Sequence, residues 1–274
     1  MTDPITSKTL ILSDLHITDD GDTLIDLDPM ARLTQVMTHA LDHHADADRL
    51  VLLGDLTHHG KSAQYKRLKP LLDSCPIPIS LTMGNHDNRR NAAEVLGTAH
   101  FDGGFAQSAW THDETLFLLI DSIDEDNLVV RHAGWLCGDR LAWVEKQITW
   151  TKPKRIVAML HHPPLDTGFD GMDAINLRNG HALLDLLQAA NVPVHVICGH
   201  VHRTISGHVR GIPFSILKST CHQMPMQLGN PSSALSVDEP GAYSILLTTK
   251  DQIILHSEDV FDAPAAVAHD THSA

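Results

Sequence analysis

The sequence predicts an α/β protein in which two β-sheets pack together with helices on the outside. Three observations carry that prediction. Apolar runs of strand length alternate with helical patterns through the first half, in β-α-β order. In the second half the strands follow one another more closely, which suggests a second sheet. No internal repeat and no clean linker interrupts the series, so residues 1–262 read as one domain, with "APAAVAHDTHSA" (263–274) as a disordered tail.

The elements follow in order. "TLILSD" (9–14) is a buried strand. "DPMARLTQVMTHALDHHA" (28–45) is a helix capped by Asp28, with Pro29 suited to its first turn and Met30, Leu33, Met37 and Leu41 as its apolar stripe. "RLVLLGD" (49–55) is a strand, and "SAQYKRLKPLLDS" (62–74) a helix that Pro70 kinks or ends early. "IPISLTMGN" (77–85) is a third strand, followed by a short helix around 91–97. "DETLFLLIDS" (113–122) and "RIVAMLHH" (155–162) are strands on either side of the helix "GDRLAWVEKQITW" (138–150). "NGHALLDLLQAANV" (179–192) is a helix with Leu183, Leu186, Leu187 and Ala190 inward. "VHVICGH" (194–200), "IPFSILKSTC" (212–221), "AYSILLTT" (242–249) and "IILHSED" (253–259) are β, the last two a hairpin turning at Lys250-Asp251. "MQLGNPSSALSVDEPG" (226–241) is a long polar loop, read as a lid or an oligomer contact.

Composition narrows the function. A formal charge of -14 disfavours a general affinity for nucleic acid polymers, although a local metal site can reverse the field inside a pocket. No stretch has the apolar length of a membrane span, and "MTDPITSKTLILSDLH" lacks the basic start and apolar core of a cleavable leader. Cys75, Cys137, Cys198 and Cys221 are scattered and read as reduced thiols of a cytoplasmic protein.

The polar residues at the ends of the apolar runs are the chemical signal. "TLILSDLH" ends in Asp14 and His16, "RLVLLGD" in Asp55, and "SLTMGNHD" in Asn85 and His86. "RIVAMLHHPP" ends in His161 and His162, and "VHVICGHVH" in His200 and His202. Ligands bind at the carboxyl ends of strands in open α/β sheets. Residues at i and i+2 of a strand share a face, so Asp14 with His16, and His200 with His202, would each grip one ion. With 21 histidines in the chain, any single pair is unremarkable. His43-His44 and His58-His59 are read as solvated surface. The ordered set of five endings, with glycines before Asp55, Asn85 and His200, is what rises above chance.

Taken together, "DLH", "GDLTHHG", "GNHD", "HHPP" and "GHVH", spanning 14 to 202, resemble the calcineurin-like metallophosphoesterase superfamily. Within it the chain is similar to bacterial class III cyclic-nucleotide phosphodiesterases and binuclear glycerophosphodiesterases, to which "MDAINLRNGHALLDLL" and "STCHQMP" add weaker support. The resemblance implies a four-layer αββα sandwich of two mixed sheets and two divalent transition-metal ions, Fe, Mn, Zn or Co. It assigns Asp14, His16, Asp55 and His202 to the first metal. It assigns Asp55 as bridge, Asn85, His161 and His200 to the second. The single-ion grip of His200 and His202 is thereby replaced by one histidine for each ion. His161 rather than His162 is the ligand because the family's histidine lies two before the proline, here Pro163.

The chemistry expected is in-line attack by a metal-bound hydroxide on the phosphorus of a small soluble phosphodiester, a cyclic nucleotide such as 3',5'-cyclic AMP or a glycerophosphodiester. Two cations and two aspartates leave the site net positive, which attracts a phosphodiester. The resemblance implies that Asn85 and His86 face the substrate, with His86 stabilising phosphoryl oxygens or protonating the leaving alkoxide. Arg89 and His222 are further substrate-side candidates, and Arg90 and Arg203 could assist anion binding. Asp87 is expected to support a neighbouring histidine. The competing readings are a phosphomonoesterase of the same fold and a non-catalytic scaffold. A homo-oligomer without membrane association is expected.

Overall fold

The computed structural model describes residues 4–125 and 130–260. The tail expected at 263–274 lies outside them. One sheet contains β1 (Ser7–Leu12), β2 (Arg49–Leu53), β3 (Ile79–Thr82), β10 (Gly241–Thr248) and β11 (Ile253–Val260), in the order β11-β10-β1-β2-β3. The other contains β4 (Ser108–His112), β5 (Thr115–Ile120), β6 (Arg155–Leu160), β7 (Val194–Cys198), β8 (Ile205–Val209) and β9 (Ile212–Ile216), in the order β4-β5-β6-β7-β9-β8. Both sheets are mixed. β1, β2 and β3 run parallel, as do β5, β6, β7 and β9, while β10, β11, β4 and β8 pair antiparallel. The helices are α1 (Pro29–His43), α2 (Ser62–Asp73), α3 (Arg89–Leu96), α4 (Gly138–Thr151), α5 (Asp170–Asp173) and α6 (Gly180–Ala189).

Strand periodicity explains the four layers. Successive side chains alternate between the two faces of a sheet. Leu10 and Leu12 of β1, with Leu50 and Leu52 of β2, face outward onto Leu33, Val36, Met37 and Ala40 of α1 and Tyr65 and Leu68 of α2. The intervening Ile11 and Val51 face inward and meet Phe117, Leu119, Val157, Met159 and Ile197 of the second sheet. That sheet turns Leu116, Leu118, Ile156 and Ala158 outward onto Val144 of α4 and Leu183, Leu184 and Leu187 of α6. Three apolar cores therefore separate four layers, α-β-β-α, as the resemblance implied.

Local signals mostly act as the sequence suggests. The Asp28 carboxylate accepts from Met30 N at 2.9 Å and starts α1. The β10–β11 hairpin forms with Thr248 opposite Ile253. The differences have simple causes. Helix α2 does not end at Pro70 but continues to Asp73: the proline forfeits one intrahelical N–H bond, and Ser74 N closes the helix on Pro70 O at 3.2 Å. Helix α6 is rotated relative to expectation, burying Leu184 while Leu186 and Ala190 are only partly covered. β9 stops at Ile216, where Leu217 N turns to Cys198 O and Thr220 N to Ser13 O. Strands β4 and β8 escaped the sequence because, as short edge strands, they bury no residue and carry few apolar side chains.

The long loop is docked. Gly229 N bonds Gly168 O at 2.9 Å, Gly171 N bonds Asn230 O at 3.0 Å, and Gln223 pairs with Val237. Among the described residues no helix is long and apolar enough to cross a membrane.

Candidate metal centre

The loops that follow β1, β2, β3, β6 and β7 converge at one end of the sandwich. Asp14, His16, Asp55, His161, His200 and His202 meet there, and all are buried. The i, i+2 argument from strand geometry does not apply, because β1 ends at Leu12 and β7 at Cys198. Asp14, His16, Asp55, His200 and His202 instead adopt left-handed backbone, with φ of 56°, 50°, 48°, 71° and 53°. Each such residue costs about 1–2 kcal/mol in an L-amino acid. Backbone strain of that kind concentrates at functional sites, where the surrounding structure holds it. Gly54, with φ of 87°, lets the chain turn sharply into Asp55, and a Cβ there would lie 2.6 Å from His161 Nδ1.

The side chains form two neighbouring groups. Ligand atoms of Asp14, His16, Asp55 and His202 all lie within 4.8 Å of one another. His202 Nε2 is 3.0 Å from Asp14 Oδ1 and 3.1 Å from His16 Nε2, and His16 Nε2 is 3.6 Å from Asp55 Oδ2. His161 and His200 stand beside them, ring centroids 5.1 Å apart, with His161 Nε2 at 3.3 Å from Asp55 Oδ2. Asp55 lies between the two groups, and His200 and His202 fall in different ones. The adjacent His162 has both nitrogens engaged, Nδ1 with Ser122 Oγ at 2.8 Å and Nε2 with His132 O at 3.2 Å.

The donor set fits divalent cations. Asn85 Oδ1, His161 Nε2 and His200 Nε2 are buried polar atoms without a hydrogen-bond partner. Leaving such atoms unpaired costs about 1–3 kcal/mol each. All three belong to the expected second-metal set, and a cation would satisfy them together. The outer nitrogens are already committed, His161 Nδ1 to Leu53 O at 2.9 Å and His202 Nδ1 to His222 O at 3.0 Å, which turns Nε2 of each ring inward. The Asn85 amide nitrogen is 3.2 Å from His132 Nδ1, which leaves Oδ1 facing away from that contact.

Electrostatics agree with the geometry. Burial works against the ionised form of Asp14, but His202 and His161 hold its carboxyl below the usual range. Asp55 is likewise held well below it, against burial, by His161 and His86. His161 is raised to about 9: burial opposes its charge, but Asp55 and Asp14 outweigh that. Burial drives His16 and His200 well below the usual imidazole range, so both are neutral, as metal ligands must be.

Above this cluster is a cavity of about 290 Å³. His16, His58, Asn85, His86, His132, His200, His202 and His222 line its floor. Met172, Ile175, Met224 and Leu235 form an apolar wall, and Ser233 and Ser236 of the docked loop close it.

Several expectations change here. Arg89 lines neither this cavity nor the adjoining cleft. Its guanidinium is taken by Asp121, at 2.7 and 2.9 Å, and by Glu125 at 3.1 Å. Arg203 is paired with Glu239 at 2.6 Å, and Arg90 is exposed. Among the described residues Asp87 bonds no histidine. It accepts from Leu56 N, Thr57 N, Gly84 N and Tyr65 Oη at 2.8–3.0 Å, tying the β2 and β3 loops together. Burial and the nearby Asp55 raise its carboxyl to about 6. His222 does reach the cavity, as do His58, which the sequence reading placed on the solvated surface, and His132, which it did not single out. No residue type separates these from the other histidines of the chain. Only the position of His58 three residues after Asp55 was a usable signal.

Comparison with known proteins places this architecture. Residues 7–204 match the family model for calcineurin-like phosphoesterases. The chain is 32% identical over 267 residues to a probable cyclic nucleotide phosphodiesterase of Rhodopseudomonas palustris, covering 96% of this chain and 97% of that one. It is 27% identical over 250 residues to a probable glycerophosphodiester phosphodiesterase of Arcobacter nitrofigilis, covering 88% of each. In fold it is similar to a dimetal phosphatase of Danio rerio, with a TM-score of 0.71 at 14% identity over 93% of this chain and 97% of that one. The chain belongs to the calcineurin-like phosphoesterase family.

Proposed function

We propose that the protein is a binuclear metal-dependent phosphodiesterase acting on small soluble phosphodiesters. The observation that carries this is the convergence of two buried carboxylates, four imidazoles and one carboxamide beneath an open cavity that His16, Asp55, Asn85, His200 and His202 line, with Asn85 Oδ1, His161 Nε2 and His200 Nε2 unpartnered. Asp14, His16, Asp55 and His202 would hold one divalent ion, and Asp55, Asn85, His161 and His200 the other. An imidazole and carboxylate shell suits Fe, Mn, Zn or Co. When bound, the pair would supply Lewis-acid charge and an activated water.

The protein's own groups do the rest. His86 donates from Nδ1 to His58 O at 2.8 Å, which leaves its Nε2 to serve the substrate oxygens or to deliver a proton to the leaving alkoxide. The apolar wall of Met172, Ile175, Met224 and Leu235 suits a planar base better than glycerol, which has no apolar face of that size to bury. A nucleoside 3',5'-cyclic phosphate is therefore the favoured substrate. No lysine or arginine lines this cavity among the described residues, which favours a singly charged diester over a doubly charged monoester. Similarity to the probable phosphodiesterases of Rhodopseudomonas and Arcobacter supports diester hydrolysis. The free cysteines fit a reducing, cytoplasmic setting, and exposed Met226 and Leu228 on the docked loop support a homo-oligomer.

The test is a substrate panel with the metal-loaded enzyme: 3',5'-cyclic AMP, glycerophosphodiesters, bis(p-nitrophenyl) phosphate and p-nitrophenyl phosphate. Faster turnover of the diesters is expected, with cyclic AMP ahead of the glycerol diesters. Preference for the monoester would replace this reading with a phosphomonoesterase.

A further inference from the structure

The tautomer of one metal-facing histidine has a consequence for a residue outside the ligand set. His16 turns Nε2 toward the centre, 3.1 Å from His202 Nε2 and 3.6 Å from Asp55 Oδ2. A nitrogen that binds a cation must keep its lone pair, so the ring proton of neutral His16 belongs on Nδ1. That Nδ1 lies 3.3 Å from Nδ1 of His58. With the proton on His16, His58 Nδ1 is the acceptor. The single proton of neutral His58 is then on Nε2.

His58 is placed for this part by its loop. Its backbone N donates to Ile17 O at 3.0 Å, which lays it beside His16. The two residues before it are tied down by Asp87. The ring lines both the cavity above the centre and an adjoining cleft of about 440 Å³. It stacks on His86 with centroids 5.0 Å apart and planes at 21°, and its carbonyl accepts from His86 Nδ1. Among the described residues no group accepts a hydrogen bond from His58 Nε2. His161 and His202 answer the same need with the backbone carbonyls of Leu53 and His222. A carbonyl ends the chain of hydrogen bonds there, whereas an imidazole passes a donor on to the cavity.

We propose that His58 is a further residue of the reaction site: its Nδ1 holds His16 in the tautomer that binds the first cation, and its Nε2–H donates to a phosphoryl oxygen of the substrate. The assignment rests on the function proposed above. It makes the histidine three places after Asp55 a bridge between metal binding and substrate binding.

The two halves separate by substitution. His58→Asn keeps an acceptor near the Nδ1 position and loses the distal donor. His58→Gln keeps a donor near the Nε2 position and loses the proximal acceptor. His58→Leu loses both. Cation affinity is read by titrating metal-free protein with Mn²⁺ alone, and anion recognition by the inhibition constant of inorganic phosphate on the Mn²⁺-loaded protein. Loss of an outer partner lowers metal affinity about 10–100-fold, so that weakening is expected at one of the two sites in His58→Gln and His58→Leu but not in His58→Asn. Phosphate should inhibit about tenfold more weakly in His58→Asn and His58→Leu, since a hydrogen bond to a charged group carries about that much affinity. Thermal melting of the metal-free variants separates these effects from misfolding. Wild-type protein that takes up no cation overturns the reading of the centre and this assignment with it. Two cations in wild type, with His58→Leu matching it in both constants, overturn this assignment alone. A loss of cation affinity in His58→Asn as large as in His58→Leu overturns the acceptor role.

Discussion

Gly84→Ala tests the centre through a single methyl group. Gly84 precedes Asn85 and packs against Asp55. A Cβ at this position would stand 2.2 Å from Asp55 Oδ1, 2.4 Å from Asp55 N and 2.8 Å from Asp55 Cγ. Rotating the carboxylate could relieve the first contact but not the second, which is backbone. The two loops must therefore separate by about 1 Å to reach ordinary van der Waals distance. Asp55 is the residue that the proposed function shares between the two ions, and its Oδ1 also accepts from His86 N at 2.9 Å. One shift thus disturbs both proposed ions and the proposed acid. A misplacement of about 1 Å costs on the order of a hundredfold in rate, and overpacking costs about 1–3 kcal/mol of stability. The assay is kcat/KM on bis(p-nitrophenyl) phosphate together with elemental analysis of the purified protein. Gly138→Ala in the first turn of α4 is the control, because a Cβ there meets nothing within 4 Å. It should leave activity unchanged. Gly84→Ala protein that keeps wild-type metal content and a kcat/KM within about threefold of wild type would refute the reasoning.

Other expectations follow from the same geometry. Asn85→Ala should lower affinity for one of two cations by more than the about 10–100-fold that loss of an outer partner costs, with activity falling in parallel; metal titration checks this. Arg89→Ala leaves the fully buried Asp121 without its bidentate partner, so stability should fall by about 3–5 kcal/mol in urea denaturation, while kcat/KM of the folded protein stays close to wild type. A large rise in KM with unchanged stability would return Arg89 to the substrate site. Chelation should lower the melting temperature, since cations present at about 1,000 times their Kd contribute about 4 kcal/mol; an unchanged melting curve after exhaustive chelation would count against resident ions.

The sequence displayed the strands of this site better than their company. The apolar runs ending at Asp14, Asp55, Asn85, His161 and His200 were legible because a buried parallel strand must be nearly continuous in Leu, Ile and Val. Edge strands β4 and β8 were not, since half-exposed edges dilute that pattern. Arg89 illustrates a second limit. Its place just after "GNHD" suggested the substrate, but its partner Asp121 comes from the end of β5 in the other sheet, 32 residues away. His58 illustrates the converse. In sequence it is half of a doublet like His43-His44, and only folding lays it against His16, 42 residues away.

What the sequence determined alone is the order of the buried elements, the two-sheet α/β class and the residue types delivered to the strand ends. Periodicity and local propensity encode these, and both are properties of neighbouring residues. Tertiary structure decided which side chains share a point in space. It set the left-handed turns at Asp14, Asp55 and His200, the division of His200 from His202, and the capture of Arg89 by Asp121. Those outcomes depend on the packing of one sheet against the other, which brings together residues such as Asp14 and His200, 186 positions apart. No local pattern in the chain records that contact.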